Sequence, residues 1–288
     1  MRVAILLTCF NRKDKTLNCL ENMQLAIDYL QKYKFDTFLV DDASTDATKE
    51  AVKQDFKEVN VILGSGDLYW NQGMKLAWNT ALENDDYDFY IWLNDDTMVD
   101  KDAIFHILAC YNELLLLNRK PVIVVGACRS INNGSDFSYG LRDETGPLLP
   151  NGNIQYGKYM NGNLVLVPTE IVDKLGILSD DYTHAMGDFD YGLRTLKYGF
   201  RIITTKKYIA TCHVNTNIPI WRNSKKSLLE RWKSFHSPLG LNIKEYKVFC
   251  NKFWPEQYYR LVIKAYIKFL LPSLYTYFSN EINHINRK

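Results

Sequence analysis

The sequence predicts an α/β protein with a mostly parallel central sheet flanked by helices. Short apolar runs alternate with amphipathic helical patterns from residue 3 to residue 93, in the order β-α-β-α-β-α-β. Strands that alternate with helices in this way lie parallel in one sheet and are joined by right-handed crossovers. The 288 residues, of which 47% are hydrophobic and 24% charged, supply a core large enough for such a fold.

The first half of the chain shows the alternation element by element. Predicted strands are rich in β-branched and aromatic residues and cover 3–7, 37–40, 59–63 and 87–93. Predicted helices, in which apolar residues recur every three or four positions, cover 15–32, 71–82 and a stretch that begins near 48. In the second half we expect a well-buried helix over 103–117, a strand over 121–126, and loops with a short hairpin over 129–158. The remaining expected elements are a strand over 164–167, helices over 169–178 and 188–198, and short strands near 201–203 and 209–213.

Overall charge and cysteine spacing exclude several classes of function. A net charge of +2 gives no global field that would favour nucleic acid. Six cysteines without CxxC spacing fit reduced thiols in a cytoplasmic protein better than a disulfide framework or a zinc site. The chain starts with Met-Arg and a strand, and no apolar run approaches about 20 residues. We therefore expect neither a signal peptide nor a transmembrane helix.

An acidic pair follows the most apolar strand. Residues 90–93 read Tyr-Ile-Trp-Leu and end abruptly in Asn94-Asp95-Asp96. The carboxyl end of a strand in an open α/β sheet is where ligands bind. Adjacent carboxylates repel, and a divalent cation relieves that repulsion. The alternative interpretation is an ordinary acidic turn between a strand and a helix.

A second acidic cluster contains Asp188 and Asp190 at the start of a predicted helix. Carboxylates in a first helical turn are also favoured by the helix dipole, which is a purely structural explanation. His213 ends a later strand, and a lone histidine is more often structural than a ligand. Gly64 and Gly66 do not form the GxGxxG fingerprint, and no Walker A sequence is present, so a metal would have to hold any nucleotide phosphates.

Five ordered segments together resemble the family 2 glycosyltransferases. They are residues 8–12 (TCFNR), residues 40–46 (VDDASTD), Asn71-Gln72-Gly73 with Asn79, residues 93–96 (LNDD), and residues 187–190 (GDFD) followed by Arg194 and His213. The resemblance covers about residues 1–240 and implies the GT-A fold of inverting, sugar-nucleotide-dependent enzymes. The pattern is most similar to the bacterial rhamnosyltransferase-like branch that acts on surface polysaccharides.

The resemblance also implies roles for individual residues. Asp188 would be the catalytic base, although Gly187 replaces the glutamate that usually precedes it. Asp96 and His213 would bind Mn²⁺ or Mg²⁺, and Asn94 stands where the DxD-type motif has its first acid. The implied donor-binding residues, with Thr8 and Asp42 at the nucleoside, are Thr8, Asn11, Arg12, Asp41, Asp42, Asn71, Gly73, Asn94 and Asp95. The implied acceptor-binding residues are Asn161, Asp190 and Arg194.

The function expected from this resemblance is metal-dependent transfer of a sugar from a UDP- or dTDP-sugar to a saccharide, free or lipid-linked. Two alternatives remain at this point. A sugar-phosphate nucleotidyltransferase would need a glycine-rich, basic loop after the first strand, and residues 8–12 lack it. A non-catalytic sugar-binding protein of the same fold is disfavoured by the presence of Asp96, Asp188 and His213.

The expected domain organisation is a GT-A domain over 1–240, followed by a helical tail over 241–288. Residues 1–100 would bind the donor, and residues 101–240 would bind the acceptor. In the tail, Arg260, Lys264 and Lys268 recur every four residues beside a largely apolar run that continues past Pro272 to Tyr277 and Phe278. Such a helix either packs on the domain or lies in the interface of a membrane, with an anionic surface as its partner.

Overall fold

The computed structural model describes residues 1–30, 32–118, 120–132, 136–214 and 217–275. Its strands are β1 (Arg2–Cys9), β2 (Lys34–Asp41), β3 (Val59–Leu63), β4 (Phe89–Leu93), β5 (Met98–Val99), β6 (Val122–Ser130), β7 (Phe137–Tyr139), β8 (Leu141–Arg142), β9 (Gln155–Tyr156), β10 (Tyr159–Met160), β11 (Leu164–Pro168) and β12 (Arg201–Cys212). Its helices are α1 (Lys13–Asp28), α2 (Thr48–Asp55), α3 (Tyr69–Asn84), α4 (Ala103–Asn118), α5 (Thr169–Leu175), α6 (Gly187–Lys197), α7 (Leu228–Phe235), α8 (Ile243–Phe253) and α9 (Tyr258–Leu270).

The central sheet has ten strands, eight of them in the order β3-β2-β1-β4-β11-β6-β12-β5. Strands β3, β2, β1 and β4 are parallel, as the alternation predicts. The sheet is mixed beyond β4, because β11 runs antiparallel to both of its neighbours. The chain adds β2 and β3 on one side of β1 and then places β4 on the other side. This reversal creates a topological switch point between β1 and β4.

The parallel strands are buried on both faces, which explains their nearly continuous apolar sequences. Successive side chains of β1 point to opposite faces, so Ile5 packs with α1 and α4 while Leu6 packs with α3. Trp92 of β4 shares the second face with Trp78 of α3, their ring centroids lying 5.4 Å apart. Both layers of helices therefore fix the position of the strand ends at the switch point.

Two expected elements differ in the structure. The short strands predicted near 201–203 and 209–213 are one strand, β12, whose pairing with β6 shifts register between Thr204 and Ala210. Helix α4 buries one face as far as Leu114, but Phe105, Leu116 and Leu117 are exposed. Two strands are expected in place of β12 because Lys206 and Lys207 interrupt the apolar pattern, but the strand continues through them.

The chain divides into two compact units. The first comprises residues 1–183 and 187–214, and the second comprises 184–186 and the described part of 215–288. The second unit thus begins well before the residue 241 expected from the sequence, because Trp221 and Phe235 share an apolar cluster with Ala265 and Phe269. None of the described helices is long and apolar enough to cross a bilayer. Tyr277 and Phe278 lie outside the described residues.

Candidate active site

The switch point brings together the segments that follow β1 and β4. Pairing of Leu6 with Trp92 places the two strand ends side by side. Arg12, at the start of α1, donates from Nη1 to Asp95 Oδ1 at 2.8 Å and to Asp96 Oδ2 at 3.1 Å. A guanidinium thus stabilises the adjacent carboxylates that the sequence predicts at this edge.

The two carboxylates of this pair have different surroundings. The side chain of Asp95 is 6% exposed, and that of Asp96 is 27% exposed. Burial raises the pKa of Asp95 to about 6, although Arg12 opposes the shift. Asp95 Oδ2 is buried and accepts no hydrogen bond within the described part of the chain. Asp96 is therefore the more accessible carboxylate. The ionised form of Asp95 is the less favourable of the two, because its side chain is more deeply buried.

Asn94 is held by an aromatic side chain that sequence reasoning missed. Trp70 donates from its indole nitrogen to Asn94 Oδ1 at 2.7 Å, so the amide oxygen already has a partner. A Cβ atom on Gly162 would lie 2.4 Å from the Trp70 ring, so only glycine allows this close approach. Its position directly before the Asn71-Gln72-Gly73 motif is the sequence signal that could have identified Trp70 as part of the site.

Asp42 organises the loop between β3 and α3. Its carboxylate accepts hydrogen bonds from the backbone N–H groups of Gly66 at 2.7 Å, Leu68 at 2.9 Å and Tyr69 at 3.1 Å. The neighbouring Asp41 accepts from the Ser44 N–H at 2.8 Å. Both aspartates are buried, and their carboxylates shape the loops that follow β2 and β3.

Asn11 and Gly73 connect the segments around the end of β1. Asn11 has a left-handed backbone with φ of 50°, and its Oδ1 accepts from the Thr45 N–H at 2.7 Å. This bond ties the segment after β1 to the segment after β2. Gly73 of α3 lies against Thr8, where a Cβ atom would meet the Thr8 hydroxyl. The absence of a side chain at position 73 lets α3 approach the end of β1.

Asn71 is a buried amide in the first turn of α3. It is completely buried and donates from Nδ2 to the carbonyl oxygens of Ser179 at 2.9 Å and Tyr182 at 2.6 Å. Its Oδ1 lies where a Cβ atom on Gly187 would be, which explains the glycine that precedes Asp188. The structure therefore shows Asn71 positioning the start of α6, and the donor contact expected from the sequence stays a prediction.

Asp188 begins α6 at the edge of the site. Its Oδ2 accepts from the Gly162 N–H at 3.0 Å, and its Oδ1 accepts from the Phe189 N–H at 2.8 Å. Burial raises the pKa of Asp188 to about 6, with these backbone bonds opposing the shift. Asn163, which follows Gly162, is linked to the segment that carries the acid pair. Its carbonyl accepts from the N–H of Asn94, directly before Asp95, at 3.0 Å.

Asp190 and Arg194 form an ion pair within α6. Asp190 is fully buried and accepts from Arg194 Nε at 2.7 Å. Arg194 also donates to the carbonyl oxygens of Leu175 and Ile177, both at 2.9 Å. These bonds hold α6 to the end of α5, and the acceptor-binding role expected for both residues stays a prediction.

The last two predicted residues lie at the ends of neighbouring elements. His213 is exposed just after β12, and the charge of Asp96 acts on the preceding residue, Cys212. The backbone N–H of Asn161 donates to Gly140, while its Oδ1 is buried without a hydrogen bond among the described residues. Within the described ranges, no three His, Cys, Asp or Glu residues are grouped closely enough to hold a metal by themselves.

The family model described as "Glycosyl transferase family 2" matches residues 4–168, more than half of the chain. The chain belongs to glycosyl transferase family 2. The predicted family and enzyme class are thereby confirmed, which sets aside the nucleotidyltransferase and the non-catalytic alternatives.

Two curated relatives of this glycosyltransferase carry names of polymer- or glycolipid-building enzymes. A dolichyl N-acetyl-alpha-D-glucosaminyl phosphate 3-beta-D-2,3-diacetamido-2,3-dideoxy-beta-D-glucuronosyltransferase of Methanococcus voltae is 23% identical over 258 residues, which are 88% of this chain and 76% of the relative. Poly-beta-1,6-N-acetyl-D-glucosamine synthase of Staphylococcus aureus is 32% identical over 106 residues, 37% of this chain and only 24% of the synthase.

A solved structure shows the same fold. The mannosyltransferase PcManGT from Pyrobaculum calidifontis, in complex with GDP-Man and Mn²⁺, is similar with a TM-score of 0.51 and 18% identity. The match covers 75% of this chain and 58% of the mannosyltransferase. The GT-A fold expected from the sequence is confirmed by this likeness together with the observed sheet.

Proposed function

We propose that this glycosyltransferase moves a sugar, with inversion, from a nucleotide diphosphate donor to a saccharide acceptor with the help of a divalent cation. The observation that carries the proposal is the environment of the Asp188 carboxylate. This carboxylate has a pKa raised to about 6 and is joined through residues 162–163 to the acid pair at the switch point. A general base is most effective when its pKa lies near the working pH.

The acid pair fits a divalent cation. Asp96 offers a partly exposed carboxylate, and Asp95 offers a buried oxygen without a hydrogen bond in the described part of the chain. Mg²⁺ commonly uses only one or two protein carboxylates and completes its shell with substrate phosphates and water. We assign Asp96 as the main ligand and His213 as a second one, which would favour Mn²⁺. Such an ion would supply charge neutralisation at the departing diphosphate.

Residues around the switch point would bind and orient the donor. The loops fixed by Asp41, Asp42 and Asn11 lie on the nucleoside side, where we propose Thr8 and Asp42 as contacts to a uracil or thymine base. Asp42 already accepts three backbone hydrogen bonds, and a carboxylate has about four acceptor positions, so one remains for the base. Arg12 would contribute its positive charge to the diphosphate.

Asp188 would take the proton of the acceptor hydroxyl as that oxygen attacks the anomeric carbon. The bond to the nucleotide diphosphate breaks on the opposite face of the sugar, and this single displacement inverts the configuration. The two N–H groups that hold Asp188 fix both of its oxygens, so the carboxylate is oriented before the acceptor arrives. Asn161, next to this segment, is the residue we retain for acceptor binding.

The acceptor class is inferred from the relatives. The Methanococcus voltae enzyme is named for a dolichyl phosphate-linked sugar, and the Staphylococcus aureus enzyme is named for a polysaccharide. We propose a saccharide acceptor, free or lipid-linked, in surface polysaccharide synthesis. A lipid-linked acceptor would be met at the cytoplasmic face of a membrane, consistent with the location expected from the sequence.

A screen of the purified protein against UDP-, dTDP- and GDP-sugars tests this function. We expect slow donor hydrolysis that releases the nucleoside diphosphate, stops with EDTA, and returns with Mn²⁺ or Mg²⁺. Activity that is unchanged in EDTA would contradict the metal assignment, and an absence of hydrolysis with every donor would contradict the donor class. His213→Ala is expected to weaken Mn²⁺ binding in a titration, whereas an unchanged titration would remove His213 from the site.

A further inference from the structure

Helix α9 presents an apolar surface on two sides. On the inner side, Ala265 and Phe269 are buried in a cluster with Trp221, Phe235 and Ile243. Phe269 stacks on Phe235 with ring centroids 4.8 Å apart. The helix is therefore a core element of its own unit, and its inner face accounts for Ala265, Phe269 and the partly buried Tyr266.

The outer side of α9 and the residues that follow it carry a second apolar stripe, which packing within the described residues does not cover. Its members recur every three or four residues and are between 45 and 78% exposed: Tyr259, Ile263, Ile267, Leu270 and Leu274. The first four lie along one side of α9, and Leu274 follows beyond the end of that helix. Continuous exposed apolar surface of this kind is unusual in a soluble domain and marks an interaction site.

A basic stripe runs beside the apolar one. Arg260, Lys264 and Lys268 each follow a member of the apolar stripe by one residue, so they lie about 100° further round the helix. The excess of positive charge extends to the whole second unit. Residues 217–275 contain eleven Lys and Arg against three Glu, whereas the full chain has a net charge of only +2.

Helix α7 carries an exposed tryptophan near the C-terminal end of α9. The Trp232 ring lies 5.7 Å from the Phe269 ring, beside the end of α9, and remains exposed together with Leu228 and Leu229. Tryptophan is enriched where a protein surface meets the headgroup region of a bilayer, because the ring is apolar and its N–H is polar.

We infer that the outer face of α9, together with Trp232, binds the surface of an anionic lipid bilayer. The apolar stripe would enter the headgroup and acyl boundary, and the adjacent Lys and Arg side chains would extend to the lipid phosphates. A second copy of the chain is a poorer occupant, because it would bring the same row of positive charges to the interface. The inference concerns the location of the enzyme and does not depend on the proposed transfer reaction.

Vesicle co-sedimentation of the full-length chain tests the inference. Removing α9 altogether is unsuitable, because Phe269 belongs to the core of the unit. We expect strong binding to phosphatidylcholine vesicles that contain about 30 mol % phosphatidylglycerol, and at least about tenfold weaker binding to pure phosphatidylcholine or at high salt. Two double variants, Ile263→Asp with Ile267→Asp and Lys264→Glu with Lys268→Glu, should each reduce binding at least about tenfold.

The matched control changes two equally exposed leucines of α4. Leu116 and Leu117 are 84% and 72% exposed, so Leu116→Asp with Leu117→Asp should bind vesicles like the native chain. Donor hydrolysis should survive in all three double variants, which separates this inference from the proposed function. Native-like vesicle binding by both stripe variants would overturn the inference. A second result would also overturn it. In that result the native chain does not bind vesicles but forms a concentration-dependent dimer, measured by light scattering, and Ile263→Asp with Ile267→Asp abolishes the dimer.

Discussion

Arg12 offsets part of the negative charge at the switch point before any ligand arrives. Its guanidinium contacts both Asp95 and Asp96, and only Asp96 remains partly exposed. A cation that binds Asp96 must therefore share this carboxylate with Arg12 or displace it. Because the diphosphate of a donor would attract the released guanidinium, we expect the cation to bind more tightly once the donor is present.

Replacing the exposed acid should remove the metal anchor. We expect Asp96→Ala to fold normally and to lose at least about 10³-fold in transfer rate, because charge neutralisation by a metal is worth several kcal/mol. Product formation at saturating donor and Mn²⁺ measures the effect, with a thermal melt as the check on folding. Asp95→Ala should lose less activity, because Arg12 keeps its contact with Asp96.

The control for this variant lies at the other end of the same strand. Asp86 is exposed shortly before β4 begins, so Asp86→Ala should leave transfer unchanged. A folded Asp96→Ala protein with near-normal turnover would show that the metal does not bind this carboxylate.

Asp188 should control the pH dependence of the reaction. Because its pKa is raised to about 6, the base is protonated and inactive at low pH, so kcat/KM should rise through pH 6 and level off above it. We expect Asp188→Asn to lose at least about 10² in turnover while retaining donor binding. The residual activity of this variant should lack the inflection near pH 6, which a pH–rate profile measures.

Ionisation of Asp188 also affects folding. Between the ordinary value of 3.8 and about 6, the folded protein holds the proton more tightly than the unfolded chain does. The free energy of unfolding should therefore fall as the pH rises through this range. Asp190→Asn provides the contrast, because it breaks a buried ion pair and should lower the free energy of unfolding by about 3–5 kcal/mol. An inactive but stable Asp190→Asn and an active Asp188→Asn would reverse the two assignments.

At the scale of elements, α3 positions α6. The buried amide of Asn71 joins the first turn of α3 to the segment 179–182, and Gly187 fits closely against the same amide. The catalytic carboxylate we propose is thus placed by a residue from a helix more than 100 positions earlier in the chain. Similarly, Trp70 connects α3 to Asn94 at the end of β4.

Truncating that amide should disturb the site without removing a ligand. We expect Asn71→Ala to lower the free energy of unfolding by about 1–3 kcal/mol, because the carbonyl oxygens of Ser179 and Tyr182 lose their donor. Turnover should fall while the affinity for the nucleotide changes little, which separate measurements of kcat and of UDP binding distinguish. Asn79→Ala, on the exposed side of the same helix, should match the native protein. A selective loss of UDP affinity in Asn71→Ala would instead restore the donor contact predicted from the motif.

At the scale of the whole molecule, all six cysteines are free and buried. Burial raises the pKa of the thiols of Cys9, Cys19, Cys110 and Cys250, which keeps them in the unreactive protonated form. Cys212 is the exception, because a hydrogen bond from Cys128 lowers its pKa.

The reactivity of these thiols reports on packing throughout the chain. With Ellman's reagent we expect at most about one thiol per chain to react within minutes in the native protein, and all six to react after denaturation. Any fast reaction should disappear in Cys212→Ser. Two or more fast thiols in that variant would contradict the buried positions of the others.

The sequence alone determined the features that depend on local pattern. The strand boundaries at 59–63 and the alternation before residue 94 follow from periodicity, because a buried parallel strand and an amphipathic helix have different repeats. The acids after β4 mark the ligand-binding edge because parallel strands all end at the same side of the sheet. The four-residue spacing of the basic stripe likewise fixes its position on one side of α9.

Only the tertiary structure decided the surroundings of the individual polar residues. Asp188 and Asp190 are two positions apart, so they point about 200° apart on α6, and the surroundings on each side come from distant parts of the chain. Gly162 supplies a hydrogen bond to Asp188, whereas Arg194 and Tyr182 enclose Asp190. Hydrogen-bond partners and burial arise from contacts between remote segments, and such contacts leave no periodic signal in the sequence.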